Sequence, residues 1–161
     1  MGVHDPIIKW FDDYKQGDVV PAPSRTVTEA DVVTFAAFSG DWHSLHTDDL
    51  FAKQSQFGSR IVHGMATIAI MSGLMFRAGL ASDAAMGFLG INNWAFKAPV
   101  YMGDTITAHI EVKEARVSRS KPDRGIITFH IQIVNKTRKN EVSSEGDWSQ
   151  MYSRGPYAPK E

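Results

Sequence analysis

The chain has 161 residues, of which 43% are hydrophobic and 22% are charged, and its formal net charge is −1. This composition is typical of one water-soluble domain with its own core, and so small a charge gives no general attraction to nucleic acid or to an anionic membrane. The chain contains no cysteine, which excludes disulfides, thiolate catalysis and cysteine-bound zinc, and we expect a cytoplasmic protein.

The amino-terminal quarter predicts a cap, an interrupted strand and a helix. Residues 1–16 hold an apolar cluster that we expect to lie on the domain as a short cap. Residues 19–27 favour an extended edge strand that is broken by prolines. Thr28, followed three positions later by Asp31, indicates a capped helix start, and the Ser-Gly pair at 39–40 indicates the end of that helix.

The next segment predicts two further helices, a short one and a long one. A second cap at residues 47–49 predicts a short helix through Lys53. Gly64 then opens an uncharged run, which predicts a long helix over residues 62–77. Because a helix that is apolar on every side is buried, we expect this helix to lie at the centre of the domain.

The second half of the chain changes to an alternating periodicity that predicts antiparallel strands. The predicted strands are residues 88–96, 105–113, 127–133 and 142–152. Residues 153–161 are expected to form a loose tail. A sheet with one apolar face, wrapped around one long buried helix, satisfies both elements. We therefore expect a single α+β domain over residues 1–161, whose sheet edges and open helix side a second copy of the chain can cover.

The segment between the first two predicted helices holds an acid and a base in close spacing. Asp41 and His46 lie five residues apart, in a predicted loop held between rigid elements, where catalytic side chains concentrate. The N–H groups at the start of the apolar helix have no helical partners and carry positive dipole charge. An acid–base pair that faces such a helix start can stabilise charge that develops on a carbonyl oxygen.

Several motifs in this region resemble those of a known family. Residues 39–46 are Ser-Gly-Asp-Trp-His-Ser-Leu-His, and residues 61–65 are Ile-Val-His-Gly-Met. Residues 25–31 upstream and residues 96–105 downstream fit the same pattern. On these motifs, which occur in the right order, the chain resembles the MaoC-like hydratases and dehydratases, the (R)-specific enoyl-CoA hydratases of the hotdog fold.

The resemblance implies an activity and a role for several residues. The family adds or removes water across the 2,3 bond of an acyl-CoA thioester, without a metal or organic cofactor. Its members form dimers or larger assemblies, with the acyl-CoA along a subunit interface. Asp41 and His46 match the catalytic pair. Gly64 matches the residue whose N–H contacts the thioester oxygen, and Ser72 matches a serine that supports the carboxylate or the substrate.

Some of these residues also have simpler explanations. Ser72 is equally well explained by a hydrogen bond to the preceding turn of its helix. Trp42, His43 and His63 are candidate pocket residues, and His63 is expected to anchor the loop rather than to perform chemistry. The family usually has Asn-Pro where this chain has His43-Ser44, which puts substrate preference in doubt. The histidines lack the helical His-x-x-x-His spacing of a metal site, so no metal is predicted.

Two other functions stay open beside hydration and dehydration. A hotdog acyl-CoA thioesterase would release a free thiol, which hydration never produces. A non-catalytic acyl-CoA-binding subunit would complete the pocket of a partner and would bind without turnover, although the intact Asp41 and His46 argue against it. The acyl chain length, the carrier and the direction of the reaction do not follow from the sequence.

Overall fold

A six-stranded antiparallel sheet forms most of the computed structural model, which describes residues 8–159. Two short strands, β1 (Val19–Pro21) and β2 (Arg25–Thr26), confirm the interrupted strand near the amino terminus. The long strands are β3 (Ala85–Phe96), β4 (Thr105–Val117), β5 (Arg124–Asn135) and β6 (Glu141–Ser153). They lie in the order β4–β5–β6–β3, and both short strands pair with β4. All four long strands are at the predicted positions.

Between β2 and β3 the described chain forms four α-helices. They are α1 (Glu29–Ser39), α2 (Ser44–Thr47), α3 (Asp49–Gln54) and α4 (Gly64–Arg77). The α1 start is as predicted, because the Asp31 carboxylate accepts hydrogen bonds from the N–H and the hydroxyl of Thr28. The helix ends at Gly40, whose φ of 79° lies in the left-handed region that glycine adopts most readily.

The short helix α2 corrects the prediction of a loop around His46. The ring nitrogen Nδ1 of His43 accepts a hydrogen bond from the Leu45 N–H, at 3.1 Å, and so caps this single turn. Helix starts are predicted from serine, threonine, aspartate and asparagine at the cap position. A histidine cap is therefore not predicted from the sequence. His46 is therefore held on a helical turn rather than on a free loop.

The core lies between α4 and one face of the sheet. Alternate residues of β4 and β5 face this helix, and the α4 side chains Met71 and Met75 are buried in one hydrophobic cluster with them. The long helix is thus confirmed, but it is not buried on every side, because Met65 is 59% exposed and Phe76 is 66% exposed. Within residues 8–159, no helix is both long enough and apolar enough to cross a bilayer.

The two ends of the described chain lie on the same region of the sheet. A turn of 3-10 helix at Phe11–Asp13 lays the Phe11 ring over Gly125, where a β-carbon would be 2.2 Å from the ring. The Arg154 guanidinium forms an ion pair with Asp12, at 2.7 Å. Residues 1–7 of the predicted cap and residues 160–161 of the predicted tail lie outside the described residues. The division into cap, single domain and tail stays a prediction.

Candidate active site

A cavity of about 630 Å³ opens beside the amino end of α4. Its walls come from α1, α2, α4, the segment after β3, and β6. Aliphatic and aromatic side chains dominate the lining, and a few polar groups face it, among them Asp41, His46 and His63. Both the volume and this mixture are typical of a small-molecule site.

The backbone holds the His46 ring in one tautomer. Its Nδ1 lies 2.7 Å from the carbonyl oxygen of Ile61, and because a carbonyl can only accept, Nδ1 donates the proton and the lone pair is on Nε2. Burial lowers the pKa of His46, and nearby His63 and His43 lower it further, against the opposing effects of the Ile61 carbonyl and the Asp41 carboxylate. A neutral ring with a free lone pair is suited to act as a base.

Asp41 follows the left-handed end of α1 in a short, exposed turn. Its backbone N–H donates to the Ser39 hydroxyl at 3.2 Å, and its carboxylate oxygen Oδ1 accepts from the His43 N–H at 3.3 Å. Its backbone carbonyl accepts a hydrogen bond from Nε2 of His63 at 2.9 Å. The side chain lines the cavity beside His46, so the fold places the predicted acid–base pair in one site.

The fold also brings His63 into this group. One carboxylate oxygen of Asp41 and one ring nitrogen each of His46 and His63 lie within 4.8 Å of one another. Three such ligand atoms fit a cation in principle, but the two imidazole rings are stacked, with centroids 3.7 Å apart and planes 29° apart. Because imidazole lone pairs lie in the ring plane, stacked rings do not aim both lone pairs at one point. The arrangement favours acid–base chemistry, and the lack of a metal site stays a prediction.

Gly64 begins α4 next to this group, and its N–H has no hydrogen-bond acceptor within residues 8–159. The first N–H groups of a helix have no intrahelical acceptor, and none of the described residues accepts a hydrogen bond from this one. A β-carbon at this position would lie 2.8 Å from the ring of Phe96, which also lines the cavity. Glycine therefore lets the aromatic ring pack closely against the helix start while the N–H remains available.

Three predicted site residues do not line the cavity. Ser72 lies further along α4, and its hydroxyl donates to the carbonyl of Ala69 at 2.7 Å, the local bond expected for a serine without a role at the site. Trp42 is 54% exposed. His43 caps α2 through the Leu45 N–H and is also exposed. Roles for these three residues in substrate binding stay predictions.

A pair of serines in the cavity wall was not predicted from the sequence. Ser143 and Ser144 are consecutive in β6 and both are buried, because the pairing of β6 with β5 shifts register beside Ile133. The Ser143 hydroxyl donates to the Ile133 carbonyl at 3.0 Å, whereas the Ser144 hydroxyl has no partner among the described residues. Two consecutive small polar residues within an alternating strand are the sequence signal that was available.

The chain is similar to several known proteins. A family model described as the MaoC like domain matches residues 13–132. The (R)-specific enoyl-CoA hydratase of Aeromonas caviae is 39% identical over 122 residues, which cover 76% of this chain and 85% of that protein. Protein MaoC of Klebsiella aerogenes is 39% identical over 116 residues, which cover 72% of this chain. The chain spans 34% of the length of that second relative.

The fold is also found in a solved structure from Mycobacterium tuberculosis that is described as a double hotdog fold. The two structures agree with a TM-score of 0.79 and 19% sequence identity. The match covers 96% of this chain and 47% of that one. At this identity the likeness concerns the fold alone, and it confirms the predicted hotdog fold, with this chain corresponding to one of the two units.

Proposed function

The chain belongs to the family of MaoC-like domains, and from this membership we propose that it is a hydro-lyase acting on acyl-CoA thioesters. It adds water to a trans-2-enoyl-CoA or removes water from an (R)-3-hydroxyacyl-CoA. The observation that carries the proposal is the group of Asp41 and His46 in one cavity with the free N–H of Gly64. No metal or organic cofactor takes part in the proposed reaction.

In the hydration direction, Asp41 and His46 hold one water molecule between them. The carboxylate and Nε2 of the neutral imidazole both accept hydrogen bonds, so they bind the two protons of the water and raise the nucleophilicity of its oxygen. The oxygen bonds to C3 as one O–H bond breaks and its proton passes to one of these two bases. The proton then returns from this acid–base pair to C2, so the pair is regenerated and one water molecule has been added. Because both steps use one group of residues, water adds to one face of the double bond.

The N–H of Gly64 serves the thioester oxygen. Electrons of the broken double bond collect on this oxygen in the transition state and return when C2 is protonated. A donor fixed at a helix start, in a largely apolar cavity, is already aimed at that charge. Loss of one such donor typically raises the barrier by about 3–4 kcal/mol. Dehydration follows the same path in reverse.

The proposed enzyme works as a homodimer or a larger homo-oligomer. At the end of the sheet, β3 pairs with β6 on one side and presents large apolar side chains to solvent, with Phe88 54% and Leu89 48% exposed. Unprotected edge strands of this kind favour pairing with another chain. Met65 and Phe96 both line the cavity and are 59% and 55% exposed, so a second copy on this side would also narrow the cavity mouth. Light scattering of the purified protein measures its mass.

Turnover of crotonyl-CoA tests the proposed reaction, followed as the loss of ultraviolet absorbance of the conjugated thioester. Hydration predicts this loss without any free thiol in a parallel assay with a thiol-reactive dye. Release of thiol with the double bond intact would instead identify a thioesterase. Binding of acyl-CoA without either change, across enoyl-CoAs of different length and branching, would identify a non-catalytic subunit. A cytoplasmic location is part of the proposal, and cell fractionation tests it.

A further inference from the structure

His63 contacts both members of the proposed acid–base pair. Its side chain is 2% exposed, its Nε2 donates to the backbone carbonyl of Asp41 at 2.9 Å, and its ring stacks on His46 with centroids 3.7 Å apart. We propose that His63 is a positioning residue, which ties the turn of Asp41 and the ring of His46 to the start of α4. This inference rests on the proposed function, because it assigns a task within the same site.

The hydrogen bond from His63 to Asp41 links the turn at residues 40–43 to a distant part of the chain. It joins positions 22 residues apart. All other hydrogen bonds that residues 40–43 make with the described residues join positions at most five apart. Such local bonds shape the turn but do not fix its place relative to α4. His63, the residue directly before α4, therefore sets the distance between the carboxylate and the N–H of Gly64.

The stacked rings restrict the orientation of His46. The His46 ring is fixed at one edge by the Ile61 carbonyl and on one face by the ring of His63. The His63 ring is itself held by packing against Phe35 of α1, with centroids 4.9 Å apart. Rotation of the His46 ring would lose both the hydrogen bond and the stacking, so its Nε2 keeps one direction.

The polar edge of His63 argues for a task beyond packing. The Asp41 carbonyl can only accept, so Nε2 of His63 carries the proton and Nδ1 carries a lone pair. This buried Nδ1 has no hydrogen-bond partner among the described residues. Buried polar atoms without partners are uncommon because they destabilise the folded state, and a hydrocarbon ring would pack here without that cost. The imidazole of His63 combines two features at this position. Its ring stacks on His46, and its Nε2–H donates to the Asp41 carbonyl.

Two substitutions separate the two contacts. His63→Phe keeps an aromatic ring against His46 and loses the N–H donor, whereas His63→Gln keeps an N–H donor and loses the ring. We expect kcat on an enoyl-CoA to fall roughly tenfold to a hundredfold in His63→Phe, the scale of an ångström-sized misplacement, with KM changed about twofold or less. We expect His63→Gln to recover part of the loss in kcat.

A pH titration supplies a readout that a purely structural role would not move. The groups that face His46 are His63, His43, Asp41 and the Ile61 carbonyl, and His63 is one of those that lower its pKa. Both substitutions at position 63 remove this contribution and also loosen the packing that buries His46, so we expect the pKa of His46 to rise. The acid limb of kcat/KM then moves to higher pH, and the same rise is measured by NMR of the His46 ring without substrate.

Ile110→Val is the matched control for lost stability. Ile110 is 0% exposed in the core and does not line the cavity, so this change lowers the melting temperature but leaves kcat and the pH profile unchanged. Wild-type kcat and an unmoved His46 titration in both His63 variants would overturn the positioning role. A loss of activity in the His63 variants that is fully explained by a smaller folded fraction would overturn it too. An inactive wild type contradicts the proposed function instead, and the NMR titration still decides the role of His63.

Discussion

The ring of Phe96 occupies the space into which a side chain on Gly64 would extend. An ideal β-carbon on the glycine would lie 2.8 Å and 2.9 Å from two carbons of that ring. The two residues are 32 positions apart in the sequence, and they meet where the cavity reaches the first turn of α4. This close packing predicts the effect of replacing Gly64 by alanine, the substitution that adds a single β-carbon.

Gly64→Ala is expected to push the Phe96 ring away from the helix start while the backbone N–H remains. The ring is 55% exposed and can move, so we expect folding to persist and kcat/KM to fall about tenfold or more through misplacement of the substrate. Gly73→Ala in the same helix is the control, because its β-carbon meets nothing within 4 Å. Steady-state kinetics that are equal for the two variants would contradict the prediction.

Asp41→Asn and His46→Ala are each expected to lower kcat by about two orders of magnitude or more, the scale of lost general acid–base catalysis. Near-wild-type circular dichroism would show that the loss is chemical. The exposed Asp123, which forms an ion pair with Arg124, supplies a matched control as Asp123→Asn, with unchanged kcat. Retained hydration of crotonyl-CoA in both site variants would end the assignment of this pair.

His43→Ala is expected to lower the free energy of unfolding by about 1 kcal/mol, the usual cost of a lost helix cap. The same change loosens α2, which carries His46, and kcat should fall with it. His43→Asn keeps a side-chain acceptor for the Leu45 N–H, so its stability should stay close to that of the wild type. Urea unfolding measures both, and equal stabilities of the two variants would show that the cap contributes nothing.

The proposed activity is expected to persist when the pH falls to 6.5, the ordinary pKa of histidine. Burial lowers the pKa of His46 in the folded protein, so more than half of the His46 rings are still neutral at that pH, and half-protonation requires further acidification. As the pH falls, the unfolded chain binds the His46 proton before the folded chain does. The contribution of His46 to the free energy of unfolding is therefore fully present above the pKa of the unfolded state and declines as the pH falls below it. A pH profile of kcat/KM that has already lost half its value at pH 6.5 would contradict this expectation.

Much of the fold follows from local patterns in the sequence. The alternation in β4 and β5 and the Thr28–Asp31 cap are local signals. The two strands and the helix start are found where these signals predict them. The helix α2 was missed because its cap is a histidine. The exposure of one face of α4 is greater than predicted, because the hydrophobicity of a helix does not indicate which of its faces a neighbouring element covers.

The site was predictable in its residues but not in its geometry. The motif around Asp41 and His46 places two reactive groups near each other along the chain. The contact of His63 with Asp41 spans 22 residues and depends on how α1 packs against α4, which no local pattern encodes. The buried serines of β6 depend on a register shift between strands, and this too is set by the folded sheet.

Part of the cavity wall comes from a different half of the chain than the proposed reactive groups. Asp41, His46 and Gly64 lie within one stretch of 24 residues, whereas residues 96–100 and 143–144 of the wall come from the second half of the sequence. Substitutions at residues 97–100 and 143–144 would change the shape of the cavity while the proposed acid–base pair stays in place. A change in the proposed substrate range therefore requires no change in the residues proposed to perform the chemistry.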